Sequence, residues 1–99
     1  MSAANIIPWK YKVINANGAT PIGGGPLIYG GYKILGAAGA HTLDVYDHAS
    51  SATGQKLESA LSVNTAADKE YVGGIEALNG LTVNLSGDPT DGLILVRYR

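Results

Sequence analysis

Asn79-Gly80-Leu81-Thr82-Val83-Asn84-Leu85-Ser86 is the stretch on which the fold turns. Leu81, Val83 and Leu85 alternate with Thr82, Asn84 and Ser86. A two-residue period is what a β-strand with one face in a core requires, because successive side chains point to opposite sides. Asn79-Gly80 supplies two residues that accept positive φ, the strongest short hairpin signal in the chain. Strand-forming residues precede it at Tyr71-Val72 and Gly74–Leu78, so the two segments are expected to pair across that turn.

The same period recurs on both sides. Gly87–Gly92 (GDPTDG) has Pro and Gly where a turn takes them, and Leu93–Val96 beyond it is apolar on both faces. A strand of that composition is central in its sheet and covered on both sides. On the N-terminal side, Gln55–Val63 fits two periods: Leu57 and Leu61 suit a helix, whereas Leu57, Ser59, Leu61 and Val63 suit a strand. Val63 and the Asn64-Thr65 that follow favour the strand, and Ala66–Lys69 is expected to form a short helical turn. His41–Asp47 alternates with Leu43 and Val45 inward, and His48–Gly54 is a polar loop.

Pro26–Tyr29 and Gly31–Leu35 are rich in β-favouring side chains. Gly30-Gly31 between them reads as a bulge in one long strand or as a bend. Trp9–Asn15 alternates Trp9, Tyr11 and Val13 against Lys10 and Lys12. Asn17-Gly18 supplies turn chemistry, and Pro21, Gly23-Gly24-Gly25 and Pro26 make the least regular stretch, expected as a loop or a place of close backbone approach. Its glycine run lacks the Lys-Ser/Thr ending and the strand–loop–helix setting of a phosphate cradle.

About eight short strands separated by turn residues predict an all-β fold, an antiparallel β-sandwich of jelly-roll-like kind. Residues 1–8 read as an extended N-terminal arm and 9–99 as one β-sandwich domain. At 99 residues a single core is large enough to stand without staples, and the absence of cysteine excludes disulfides and thiolate metal sites.

Seven Lys plus Arg against eight Asp plus Glu give a net charge of −1, without the cationic footprint that phosphate neutralisation needs. Nucleic acid is therefore not an expected partner. No apolar run approaches the ~20 residues that cross a bilayer, and Met1–Trp9 lacks the cationic start of a signal peptide. A soluble protein made in the cytoplasm is expected.

Chemistry finds few footholds. Asp44, Asp47 and His48 resemble a metal set, but on a strand Asp44 and Asp47 point to opposite faces. Asp88 and Asp91 lack the ligand ladder of an EF-hand. Ser50, Ser51 and Ser62 stand in no nucleophile elbow, and Glu58, Glu70 and Glu76 form no evident acid–base pair. No catalytic, cofactor or metal residue is assigned, and no enzyme is expected.

Six tyrosines and one tryptophan remain, side chains that pack cores and also anchor interfaces. Ile6, Ile7 and Trp9 are much apolar surface for a terminus; they cover the domain's own core or pack on a neighbouring subunit. With Tyr29 and Tyr32 they make up the candidate protein-interface residues.

Leu43-Asp44-Val45-Tyr46-Asp47, Gly54, Asn79-Gly80-Leu81, Leu85-Ser86-Gly87 and Val96-Arg97-Tyr98 carry a resemblance. They match the order of motifs in a group of small β-sandwich proteins from tailed-bacteriophage virions. The resemblance spans Tyr32–Tyr98, and the stretch before Tyr32 has no counterpart in that group. It implies a virion structural protein: a head decoration or cement protein, or a neck, tail or fibre component. Its partners would be the major capsid protein or other virion proteins, and its own assembly a symmetric homo-oligomer, often a trimer. A glycan-binding module of the same fold class is the rival, and it requires several tyrosines on one solvent-facing sheet.

Overall fold

The computed structural model describes residues 8–14, 17–34, 42–62, 67–86 and 94–99, with 60–62 described by backbone alone. These residues form eight strands: β1 (Lys10–Ile14), β2 (Gly18–Gly24), β3 (Leu27–Ile34), β4 (Thr42–Asp47), β5 (Gln55–Ser62), β6 (Ala67–Ala77), β7 (Gly80–Ser86) and β8 (Ile94–Tyr98). They build two four-stranded antiparallel sheets, in the orders β1-β8-β3-β6 and β2-β7-β4-β5. The pairings β1·β8, β2·β7, β3·β6 and β4·β5 are the rungs of one long hairpin that turns at β4–β5. Rolling that hairpin drops its rungs alternately into the two sheets, which is the jelly-roll arrangement of an antiparallel sandwich.

The alternations explain the core. Leu81, Val83 and Leu85 of β7 are buried, as are Leu43 and Val45 of β4. Against them pack Tyr29, Tyr32 and Ile34 of β3, Ile94 and Val96 of β8, and Ile14 of β1. Each large apolar side chain removed from water contributes roughly 1.5–3 kcal/mol, so this interdigitated layer is what joins the sheets. β8 lies between β1 and β3, the central position its composition called for. Gly30-Gly31 is a bulge: the register of β3 shifts between Tyr29 and Gly31 against both β6 and β8.

Four expectations are corrected. Asn79-Gly80 joins no hairpin, because β6 belongs to one sheet and β7 to the other. The chain crosses the sandwich there, and the Asp47 carboxylate accepts hydrogen bonds from the backbone N–H of Leu78 (3.2 Å) and Asn79 (2.7 Å). A turn signal reports only which φ values are permitted; which strand becomes the neighbour is set by the sheets. The loop reading of the glycine- and proline-rich stretch fails through Gly24, where β2 runs as an edge strand against β7; the close backbone approach holds, since a Cβ on Gly80 would sit 2.6 Å from the Gly23 carbonyl oxygen. Pro21 is tolerated there because an edge strand need not donate on both sides. The expected helical turn at Ala66–Lys69 is replaced by strand from Ala67 onward, paired with Ile34 of β3.

The fourth correction concerns the candidate interface. Tyr29 is wholly buried and Tyr32 almost so, both inside the sandwich. The bulge keeps both on the inner face of β3, leaving them no surface to offer a partner. The expected turns at Gly36–Gly39 and Gly87–Gly92, His41, and the candidate residues Ile6 and Ile7 lie outside the described residues.

Candidate functional site

The outer face of the β1-β8-β3-β6 sheet is where the chain departs most from a bland solvent surface. Residues directly opposite in an antiparallel pair share a face, so the registers define rows across it. Val13, Leu95, Lys33 and Asp68 form one row, and Tyr11, Arg97, Gly31 and Glu70 the next. Beyond them, Arg99 exchanges backbone hydrogen bonds with Ile28, which stands opposite Glu76. Trp9 flanks Arg99 on the other side. Each row thus runs from an aromatic or apolar residue at the β1 side to a carboxylate on β6.

β1 is inverted relative to an ordinary half-buried strand. Tyr11 is 50% exposed and Val13 46%, on the outer face. Lys10 and Lys12 lie on the opposite side of the strand and are exposed as well, because β1 is the sheet's edge; only Ile14 reaches the core.

Trp9 is the most constrained side chain of this face. The guanidinium carbons of Arg97 and Arg99 lie 4.0 and 3.9 Å from its ring centroid. Such cation–π contacts contribute about 0.5–1 kcal/mol each when exposed and more when dry. Beneath the ring lie glycines. A Cβ on Gly30 would sit 2.6 Å from Trp9 Cζ3 and 2.7 Å from Arg97 Nε, and one on Gly74 would sit 3.0 Å from Trp9 Cη2. Missing side chains on β3 and β6 therefore make the floor that lets the indole reach across β8. Arg97 is buried, its Nη1 3.1 Å from Glu70 Oε1. A groove of about 300 Å³, lined by Pro26, Leu27, Ile28, Glu76 and Arg99, adjoins this cluster.

A half-buried polar cluster lies between the sheets. Glu58 on β5 stands opposite Val45, inside the sandwich, at a register irregularity. Its carboxylate accepts from the Tyr29 hydroxyl at 3.3 Å and from the Tyr71 hydroxyl at closer range. Tyr29 and Tyr71 also pack together, with ring centroids 5.8 Å apart. Burial, then the Glu58 hydrogen bond and charge, push the Tyr71 phenol up to about 12. Burial foremost, then Glu58, raises Tyr29 further. Both phenols are thus held in the protonated, donating form. The cluster ties β5 to β3 and β6.

His48 and the nearby serines serve the chain itself. His48 Nδ1 accepts from the backbone N–H of Ser50 and Ser51, both at 3.1 Å, with Ser51 Oγ 3.3 Å away. A general base needs a lone pair free to face its nucleophile, and this one closes a turn. Asp47, the carboxylate a triad would need, faces the Leu78–Asn79 crossing instead. The His48 carbonyl accepts from Thr82 Oγ1 at 2.8 Å, seating the loop on β7. Among the described residues no three of His, Asp and Glu gather into a group that could hold a metal ion. Asp44 is salt-bridged to Lys56 at 3.4 Å on the outer face of the other sheet.

Of the expected interface residues that are described, Trp9 reaches this outer face while Tyr29 and Tyr32 do not. Glu58, Glu70, Arg97 and Arg99 were not singled out by sequence. The one available signal was Arg97 and Arg99, two charges spaced by one residue at the end of an otherwise apolar strand. Glu58 gave no signal, because a register irregularity turns it inward. Four of the six tyrosines lie in or against the core, so no outer face carries the row of tyrosines a glycan platform needs. Comparison of the chain with protein-family models, curated proteins and solved structures finds no match.

Proposed function

We propose that this chain is a virion structural protein of a tailed bacteriophage, a decoration or cement domain that binds the assembled head shell. The outer face of the β1-β8-β3-β6 sheet is its docking surface. The observation that carries the reading is the exposure of Tyr11 and Val13 beside the Trp9–Arg97–Arg99 cluster. An edge strand that turns its aromatic and apolar face outward forgoes burial. Aromatic and arginine side chains on such a face are the residue types that dominate protein interfaces.

Two further points support it. The resemblance over Tyr32–Tyr98 points to virion proteins, and jelly-roll sandwiches serve viral shells among other uses; both are analogies of sequence and fold. The near-zero net charge lets copies crowd on a shell without strong mutual repulsion. Many modest contacts repeated by symmetry would then add through multivalency.

The test compares heat and low-salt survival of particles bearing the chain with particles lacking it. Cosedimentation of the purified chain with empty shells provides the binding readout. Longer survival and stoichiometric binding are expected, with Tyr11→Ser/Val13→Ser weakening binding while leaving the fold intact. Equal survival together with no cosedimentation overturns the proposal.

A further inference from the structure

The two sheets have four edge strands: β1 and β6 in one, β2 and β5 in the other. Three of them are blunted. β2 contains Pro21 and shifts register between Pro21 and Gly23. β5 shifts register twice against β4. β6 carries four residues, Tyr71–Gly74, where β3 has Gly30 alone, with Val72 97% exposed on the excursion. Bulges and prolines are the usual devices that stop a sheet edge from taking another strand.

β1 has none of these. All five of its residues pair with β8 in unbroken register, it contains no proline, and its far side faces no described strand. A straight open edge is a template for strand addition, in which main-chain hydrogen bonds supply affinity and alternate side chains supply selectivity. The side chains that would choose the incoming strand are Tyr11 and Val13 on one face and Lys10 and Lys12 on the other.

These lysines decide between occupants. A second β1 paired antiparallel in full overlap, centred on Lys12, would set Lys12 opposite its own copy, and a slip to centre on Tyr11 would set Lys10 opposite Lys12. Like charges directly opposite are destabilising, whereas opposite charges and apolar pairs are favourable. From this geometry we infer that β1 is a strand-acceptor edge for an extended segment of the shell protein whose residues alternate apolar with acidic. The apolar residues lie beside Tyr11 and Val13 and the acidic ones beside Lys10 and Lys12. The inference rests on the docking function proposed above and names the chemistry of the partner segment.

The experiment titrates the isotope-labelled full chain with two synthetic heptapeptides, one alternating valine with glutamate and one alternating valine with lysine. The glutamate peptide should shift the backbone amides of Lys10–Ile14 and bind about tenfold more tightly than the lysine peptide. Its binding should weaken as salt rises from about 0.05 to about 0.5 M. Lys10→Glu/Lys12→Glu should reverse the preference, and its unchanged thermal midpoint would show that the fold survives. Equal binding of both peptides, binding of neither, or amide shifts elsewhere would overturn the assignment. Shell cosedimentation separates the two proposals. If the wild-type chain and the double variant bind shells equally, docking stands and the β1 edge does not. If the peptide results hold while the chain ignores shells, the edge stands and the shell function falls.

Discussion

Gly31 shows how much a single atom can matter in this fold. Its φ is +112°, and a Cβ there would sit 2.0 Å from the backbone oxygen of Lys69, which no rotamer change relieves. Gly31→Ala should therefore lower unfolding free energy by about 3 kcal/mol or more in urea titrations. Gly30→Ala meets side-chain atoms of Trp9 and Arg97 instead of backbone and should cost less, about 1–3 kcal/mol. Glu58→Ala leaves the buried Tyr29 hydroxyl without its acceptor and should cost about 1–3 kcal/mol by the same measurement. The Tyr29 and Tyr71 phenols titrate higher in the folded chain than tyrosine does unfolded, so their protonated forms favour folding. That stabilisation is whole below about pH 10, the ordinary tyrosine value, and Tyr71's share of it is lost as pH rises through about 12. Denaturant midpoints taken across this range should fall, and Glu58→Gln should move the spectroscopic titration of Tyr71 below about 12.

Among the elements, β7 and β1 make the useful contrast. Both alternate, but β7 turns Leu81, Val83 and Leu85 into the core while β1 turns Tyr11 and Val13 to the outside. Leu85→Ala should cost about 2–5 kcal/mol, and Val13→Ala should stay within about 0.5 kcal/mol, both read from urea midpoints. The crossing between β6 and β7 depends on Asp47 rather than on Asn79-Gly80 alone. Asp47→Ala removes the acceptor for two exposed backbone N–H groups, which water can then reach, and should cost about 0.5–1.5 kcal/mol. Alternation made β4 and β7 legible and an unbroken apolar run made β8 legible, because those strands bury one or both faces. β2 was illegible because an edge strand rich in glycine and proline shows no apolar period. The start of β6 was illegible because Ala67–Glu70 is exposed and polar, held in strand only by its ladder to β3.

At the scale of the whole molecule, the rolled hairpin makes β8 and β3 central in one sheet and β7 and β4 central in the other. Native-state hydrogen exchange should be slowest along these four strands, where opening must break two ladders and the core together. The edges β1, β2, β5 and β6 should exchange sooner. If β1 accepts a strand on the shell, its amides alone among the edges should gain protection on binding, while those of β2 keep their free-state rates. Such a pattern ties assembly to β1, the straight edge among the described strands.

The order of residues settled by itself that this is a sandwich of some eight strands with Leu43, Val45, Leu81, Val83 and Leu85 inside, because two-residue alternation is a local property that survives any pairing. It also marked Gly30-Gly31 as a break in β3 and Trp9 as an exceptional residue. Which strands become neighbours was decided by the tertiary structure alone, because pairing is a contest among distant segments for the same backbone groups. That contest sent the chain across the sandwich at Asn79-Gly80 and drew Tyr29 and Tyr32 into the core. It also left β1 at an edge with its apolar face outward, beside two arginines contributed by the other end of the chain.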